Sequence, residues 1–252
     1  MKLGATVGPH IDHVGDLPDR FDYVEVGLGE GERPLSEFDP AALRERATAN
    51  GLDVAVHLPY RQPLSTPVDR IDEATLSYLD DVLAAAATAG ARTAVAHPSA
   101  RGAGHRTDAL VERLASLSAL GRDHDVTVCF ETTGYAGGIE LSRLGSLAEQ
   151  ADVALCLDVG YAYLEAGTEG IRTALSSHGD RVQHLHVHDA RRRGDTHIPV
   201  GSGDVPLESL GEELASELSE PTVSIEVFTD DMPLLADSAA RTERALSDGE
   251  RV

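Results

Sequence analysis

Lysine is all but missing from this 252-residue chain: Lys2 is the only one. Basic residues number 21 against 43 acidic ones, for a formal charge of −22. Such an excess repels phosphate backbones and counts against a broad basic face for nucleic acid, while leaving room for a local one. Together with alanine-rich helical segments it points to a salt-rich habitat, where screening relieves the self-repulsion. The acidity then reports surroundings more than partners. Long apolar runs are lacking as well: no stretch reaches the ~18 apolar residues of a membrane-spanning helix. Met1-Lys2-Leu3-Gly4 leads straight into a strand-like segment with no secretory leader, which predicts a cytoplasmic protein.

Cysteine is scarce too. Cys129 and Cys156 are the only two, which argues against a structural zinc site built on thiolates. A disulfide between them is not expected in a reducing cytosol. Each stands two residues before a carboxylate, Glu131 or Asp158, on a strand-like run. A period of two puts each thiol on the side of its carboxylate, one layer deeper, as a small buried core residue. No low-complexity linker, short repeat or domain boundary interrupts the sequence, so residues 1–252 read as one domain.

What the chain does have is a regular alternation. Runs rich in Val, Leu and Ile occur at Lys2–Val7, Asp22–Val26, Asp53–His57, Thr93–His97, Val126–Glu131, Val153–Asp158, Val182–His188 and Thr222–Phe228. They suit strands buried on both faces. Between them lie amphipathic, helix-like segments at Pro40–Ala49, Asp69–Ala89, Thr107–Asp123 and Pro233–Leu246, with weaker patterns at Ser142–Gln150, Thr168–Ser177 and Leu207–Leu218. Asn50-Gly51 and Gly90 supply C-terminal stops. Eight strands each followed by a helix, in a chain near the ~250 residues typical of the architecture, predict an α/β fold, a single (β/α)8 TIM barrel. The alternative is an open doubly wound sheet, but Gly4-Ala5-Thr6-Val7-Gly8 lacks the glycine spacing of its phosphate turn.

In such a barrel the chemistry sits at the C-terminal ends of the strands. Those ends hold His57, His97, Glu131, Asp158, His186 with His188, and Glu226, on six consecutive strands. One histidine closing a strand is ordinarily a hydrogen-bonded structural residue; convergence from six strands reverses that expectation. Carboxylates crowded into one mouth repel one another unless a cation compensates, so the set predicts bound divalent metal. Nitrogen and oxygen donors without thiolate suit zinc, manganese, magnesium or cobalt. His184, His186 and His188 alternate on one strand, so at most two lie near the mouth, and His184 reads as a deeper barrel-filling residue. The following loop carries Asp195-Thr196-His197, which can present two ligands together. It also carries Arg191-Arg192-Arg193, a phosphate grip or a solvated charge run. His10, His13, His105, His124 and His178 fall in predicted loops or helix ends and receive no role.

On these motifs the whole sequence resembles the xylose isomerase-like TIM-barrel superfamily, which holds endonuclease IV (AP endonuclease family 2) together with sugar isomerases and epimerases. His57-Leu58-Pro59-Tyr60 resembles the first histidine motif of the endonuclease IV side and His97-Pro98-Ser99 the second. Glu131-Thr132-Thr133-Gly134 resembles the segment whose glutamate bridges two metals. Asp158 with Tyr161 falls on an Asp-x-x-His element, with tyrosine where the family has histidine. His186-Val187-His188-Asp189 resembles the seventh-strand motif, with His186 as ligand. Asp195-Thr196-His197 resembles an Asp-x-His pair ahead of the glycine-rich turn Gly201-Ser202-Gly203, and Glu226 the final glutamate. Two departures stand out. Tyr161 removes an imidazole from the third metal position, and a phenol replaces it poorly unless ionised. The stretch Gly27–Arg33 is largely acidic where the family's DNA-gripping loop is polar and basic.

The resemblance implies two activities. The first is a phosphoesterase with two or three zinc ions, acting on phosphodiesters, with abasic DNA as a candidate substrate. His57, His97 and Glu131 would hold one metal, and Glu131, Asp158, His186 and Glu226 the second. Asp195 and His197 would help with a third, and Tyr60 falls where the family has a tyrosine that enters DNA. The second is a sugar or sugar-phosphate isomerase or epimerase with one manganese, magnesium or cobalt on Glu131, Asp158, His186 and Glu226. Glu131 and Glu226 would then be the acid–base pair, with Glu25, from Asp22-Tyr23-Val24-Glu25-Val26, near the substrate. Tyr161, His188 and Arg191, Arg192 and Arg193 are further candidate contacts to a small phosphorylated or sugar substrate. A non-catalytic sugar-binding barrel is the third reading, though loss of catalysis would normally relax a ligand set that is almost intact here.

Overall fold

Parallel strands buried on both faces need helices outside them and a filled interior within. The computed structural model, which describes residues 1–8, 10–29, 32–101 and 107–248, has both. Strands β1 (Lys2–Gly8), β2 (Tyr23–Gly27), β3 (Asp53–His57), β4 (Ala91–Ala96), β5 (Thr127–Glu131), β6 (Ala154–Asp158), β7 (Val182–Val187) and β8 (Thr222–Ile225) pair in chain order, all parallel. β8 returns to β1 and closes the barrel, which removes the open-sheet alternative. Helices α1 (Pro40–Ala49), α2 (Asp69–Thr88), α3 (Thr107–Asp123), α4 (Leu141–Ala151), α5 (Val159–His178), α6 (Leu207–Glu217) and α7 (Met232–Asp248) surround it. No helix among the described residues is long and apolar enough to cross a membrane. Glu30 and Gly31 of the acidic loop, His105 and residues 249–252 lie outside the described residues.

The expectation of a helix after every strand is corrected at one place. β1 and β2 are joined by a 3-10 helix at Ile11–Asp16, because Gly15 and Pro18 leave no uninterrupted helical stretch there. α5 in turn begins earlier than the pattern suggests. It starts directly after β6, with Asp158 as N-cap accepting from the Tyr161 amide at 2.6 Å, and it kinks at Gly167. β7 and β8 stop before His188 and Glu226, although the Glu226 amide still donates to the Val187 carbonyl at 3.0 Å.

One large apolar core lies between the barrel wall and the helices. The interior is different. It holds a small apolar patch of Val95, Cys129 and Cys156, both thiols being free and buried as expected. The rest of its buried lining includes Tyr23, Glu25, His184, His186 and Ser224. Polar groups so placed must satisfy one another. The Ser224 hydroxyl donates to Glu25 Oε2 at 2.7 Å and lies 3.0 Å from the Tyr23 hydroxyl, while His184 meets Thr222 through Nδ1 and Glu25 through Nε2. His184 is thus a deep filling residue of the barrel floor. A polar floor of this kind supports what stands on it.

Candidate metal centre

Strand register decides which side chains meet. On β2 and β3, Glu25 pairs with Ala55 while Gly27 pairs with His57, so the His57 layer lies above Glu25. On β6 and β7, Asp158 pairs with His186, and on β5 Glu131 pairs with Cys156. The upper layer brings the predicted ligands together in overlapping sets: His57, His97 and Glu131; then Glu131, Asp158, His186 and Glu226. In each set one donor atom per residue lies within 4.8 Å of all the others. A further set joins Asp158, His188, His197 and Glu226.

Glu131 stands at the junction. Its Oε2 is 3.2 Å from His57 Nε2 and 2.8 Å from His97 Nε2, while its Oε1 is 3.2 Å from His186 Nδ1. His186 Nδ1 is also 3.0 Å from Glu226 Oε2. His57 Nδ1 lies 2.9 Å from the Leu58 carbonyl, an acceptor that holds a proton on that nitrogen. Nε2 then turns toward the Glu131 carboxylate, and two such electron-rich atoms need a proton or a cation between them. Glu226 Oε2 and His186 Nε2 are buried without a directional hydrogen bond, the latter even though Glu25 Oε1 is 3.1 Å away. The orphaned Glu226 Oε2 and the nitrogen–oxygen donor set fit a divalent metal.

The charges answer one another. Burial works against the Glu131 carboxylate, yet His97 and His186 hold it well below the usual range. Burial likewise opposes Glu226, and His186 lowers it. Burial pulls the His57 imidazole down, but the hydrogen bond and charge of Glu131 lift it to about 9. Asp158 lifts His188 to about 9 in the same way, against burial. For Tyr161, burial and then the charge of Asp158 push the phenol up, so ionisation to replace the missing histidine is opposed.

Several expected contacts are placed elsewhere. Glu25, expected near the substrate, is fully buried beneath the cluster, hydrogen-bonded to His184 and paired with His186, because its register puts it a layer too deep. His188 lies in the buried wall rather than the mouth, its Nε2 3.1 Å from Asp158 Oδ1. Gly160 makes room for that ring: a Cβ there would lie 2.1 Å from it. Asp195 is not brought together with His197. Its carboxylate takes Arg191 at 3.1 Å and Arg193 at 2.7 Å, and its side chain is 41% exposed. Arg192 lies over the Tyr163 ring and donates to its hydroxyl. Arg191 and Arg193 are therefore bound up in their own loop, and Arg192 against α5.

Tyr60 and Tyr161 do line the mouth, a cavity of about 260 Å³ that also takes in Thr6, Glu32, His57, His97, Glu131 and Glu226. An adjoining cavity of about 380 Å³ runs past His10 and His13. A third, of about 390 Å³ around Lys2, Tyr23 and Asp53, opens at the strands' N-terminal ends, away from the clusters and from where barrel chemistry sits. Two residues escaped the sequence reading. Phe228, 69% exposed, stacks on His197 with ring centres 4.2 Å apart and planes 2° from parallel. Asp189 organises the loop after β7, accepting from the amides of Ala190, Gly201, Gly203 and Val205. The glycine-rich turn was the available signal for Asp189: a Cβ at Gly203 would sit 2.2 Å from its carboxylate.

A closed parallel barrel with histidines and carboxylates converging at its C-terminal mouth defines a class of metal-dependent TIM-barrel enzymes. The chain belongs to the xylose isomerase-like TIM-barrel family, whose family model matches residues 20–247. It is 26% identical over 228 residues to the probable endonuclease 4 of Mycobacterium tuberculosis, covering 83% of this chain and 87% of that protein. It is 23% identical over 228 residues to the uncharacterized protein MJ1614 of Methanocaldococcus jannaschii, covering 85% and 88%. Among solved structures, D-psicose 3-epimerase in the presence of D-fructose superposes with a TM-score of 0.78 at 16% identity, over 98% of each chain. That last likeness speaks to the fold alone.

Proposed function

We propose that the chain is a phosphoesterase of the endonuclease IV kind, hydrolysing phosphodiesters at a centre of more than one divalent metal, with zinc the best fit to the donors. The observation that carries this reading is Glu131. One of its oxygens faces His57 and His97, and the other faces His186. A carboxylate so placed would serve two neighbouring cations, whereas an enzyme working with one metal would have no need of His57 and His97 as ligands. When bound, paired divalent ions supply Lewis acidity at a phosphoryl oxygen and a nucleophile at neutral pH. The chain's own groups do the rest. The Leu58 carbonyl orients His57, and Glu25 backs His186 from below. Tyr60, Tyr161 and Phe228 line the mouth. The adjoining cavity gives room for a substrate extending on one side of the scissile bond, and abasic DNA is the first substrate to try.

A second reading, a sugar or sugar-phosphate isomerase or epimerase using one metal, is favoured by one observation: among the described residues no Lys or Arg lines either cavity at the mouth. One experiment separates the two. Zinc-loaded protein should cleave an activated phosphodiester and abasic DNA, and His97→Ala should lose that cleavage with its far-UV circular dichroism unchanged. Full activity in His97→Ala would remove His97 from the centre. A wild-type protein that cleaves neither substrate, yet exchanges deuterium from heavy water into a ketose, would install the second reading.

A further inference from the structure

We infer that one cation position of this centre is held by His188 and His197 together with Asp158 and Glu226. It takes the place of the position that the endonuclease IV pattern would build from residue 161, Asp195 and His197. The inference rests on the multinuclear reading above and names the ligands of one further ion. Two imidazoles and two carboxylates, each offering one atom, lie within 4.8 Å of one another here. That is a donor set for zinc, manganese or cobalt.

Both histidines are built to present Nε2. The His188 ring is held from its far side by the main chain, with Nδ1 3.0 Å from the Asp189 carbonyl and 3.1 Å from the His197 amide. Only Nε2 is offered to Asp158, at 3.1 and 3.2 Å from its two oxygens. His197 Nδ1 lies 3.1 Å from the Thr196 hydroxyl, which leaves Nε2 facing Glu226 Oε2 at 3.7 Å. That gap is too long for a hydrogen bond, and Glu226 Oε2 is buried without one. A shared cation would span it. The His197 backbone is also strained: its φ of +53° is in the left-handed region, uncommon for a residue with a side chain. The strain sets the ring between Phe228 and His188, with centres 4.2 Å from each.

The residues that would otherwise build this position are engaged elsewhere. Tyr161 packs edge-on against the His188 and His197 rings, at 5.4 and 5.3 Å between centres. Asp195 is ion-paired with two arginines. His188 thus supplies the imidazole that position 161 lacks. This set shares Asp158 and Glu226 with the set that holds His186, which in turn shares Glu131 with the His57 and His97 set.

The test is metal counting. Full-length protein is stripped with chelator, reloaded with zinc chloride, desalted and measured by elemental analysis, with cobalt(II) visible absorption as a second readout. The wild type should hold three equivalents. His188→Gln and His197→Ala should each hold two and lose part of the cobalt absorption, while Asp195→Ala and Tyr161→Phe keep three. Because His188 is buried, its variant is checked by circular dichroism; His197, at the rim, reports on the same site should His188→Gln not fold. Three equivalents in both histidine variants, or the loss of one in Asp195→Ala, would overturn the assignment. Two equivalents in the wild type and still two in both histidine variants would overturn it while leaving a binuclear centre standing. A single equivalent in the wild type would overturn both this inference and the multinuclear reading beneath it.

Discussion

Asp189 does for the mouth loop what a ligand does for a metal. It is buried, and its two oxygens accept four backbone amides at 2.7–3.1 Å from residues 190, 201, 203 and 205. Hydrogen bonds to a charged acceptor are the stronger kind, about 1.5–3 kcal/mol each in net terms. They are not additive on one carboxylate. Asp189→Asn keeps the shape, removes the charge and turns one acceptor oxygen into a donor that faces amides. A loss on the order of 3 kcal/mol is expected in urea denaturation. The loop also carries Arg191, Arg192 and Arg193, so its release should show as faster tryptic cleavage there. Unchanged stability and unchanged cleavage would mean that the loop is held by its other contacts, such as the Arg191 bond to the Ser202 carbonyl. His197 hangs from the same loop, which is how an aspartate outside the metal sets comes to govern one of their members.

At the scale of the element, β2 and β7 face each other across the barrel and meet through Glu25 and His186. Glu25 Oε1 lies 3.1 Å from His186 Nε2, and Glu25 Oε2 takes Ser224 and His184. A carboxylate behind a ligating imidazole fixes its orientation and raises its basicity, and its loss typically costs 10–100-fold in metal affinity. Glu25→Gln should therefore weaken zinc binding by about that factor, read in a chelator competition, with the number of ions at saturation unchanged. Undiminished affinity would reduce Glu25 to a space-filling role. The same pair shows what sequence could and could not deliver. The alternation His184, His186, His188 was enough to put His184 deep and at most two of the three near the mouth, because strand period fixes the face. Strand endings such as Val-Ala-Val-His57 and Val-Cys-Phe-Glu131 were enough to expose the layer of candidate ligands, since a barrel puts those ends at one mouth. Depth across strands was not legible. Whether Glu25 stands level with His57 or a layer beneath depends on the β2–β3 register, which no local pattern encodes. Nor was the pairing of Asp195 with Arg191 and Arg193, since Asp-x-His spacing says nothing of neighbours that compete for the carboxylate.

At the scale of the whole molecule, a formal charge of −22 sets the outer surface against itself. Ion pairs relieve little of this. Lys2–Asp53, Arg46–Asp12 and Arg181–Asp152 each involve a largely exposed carboxylate, and such pairs are worth about 0–1 kcal/mol. Salt acts on both terms with opposite sign, weakening the pairs and screening the unpaired acids. With 43 acidic residues against 21 basic ones, the repulsion has more members to lose. Raising ionic strength from about 0.1 M to about 1 M shortens the screening length from ~10 Å to ~3 Å. The melting temperature should therefore rise across that range in potassium chloride. Repulsion between neighbouring exposed acids is what salt removes. The buried carboxylates of the candidate metal centre sit beyond the reach of that screening, and zinc affinity should change far less than stability. A melting temperature that falls with salt would show that the few surface ion pairs outweigh the excess of acid. Zinc affinity that collapses with salt would place the ligands nearer to solvent than the burial of Glu131, Asp158 and His186 allows.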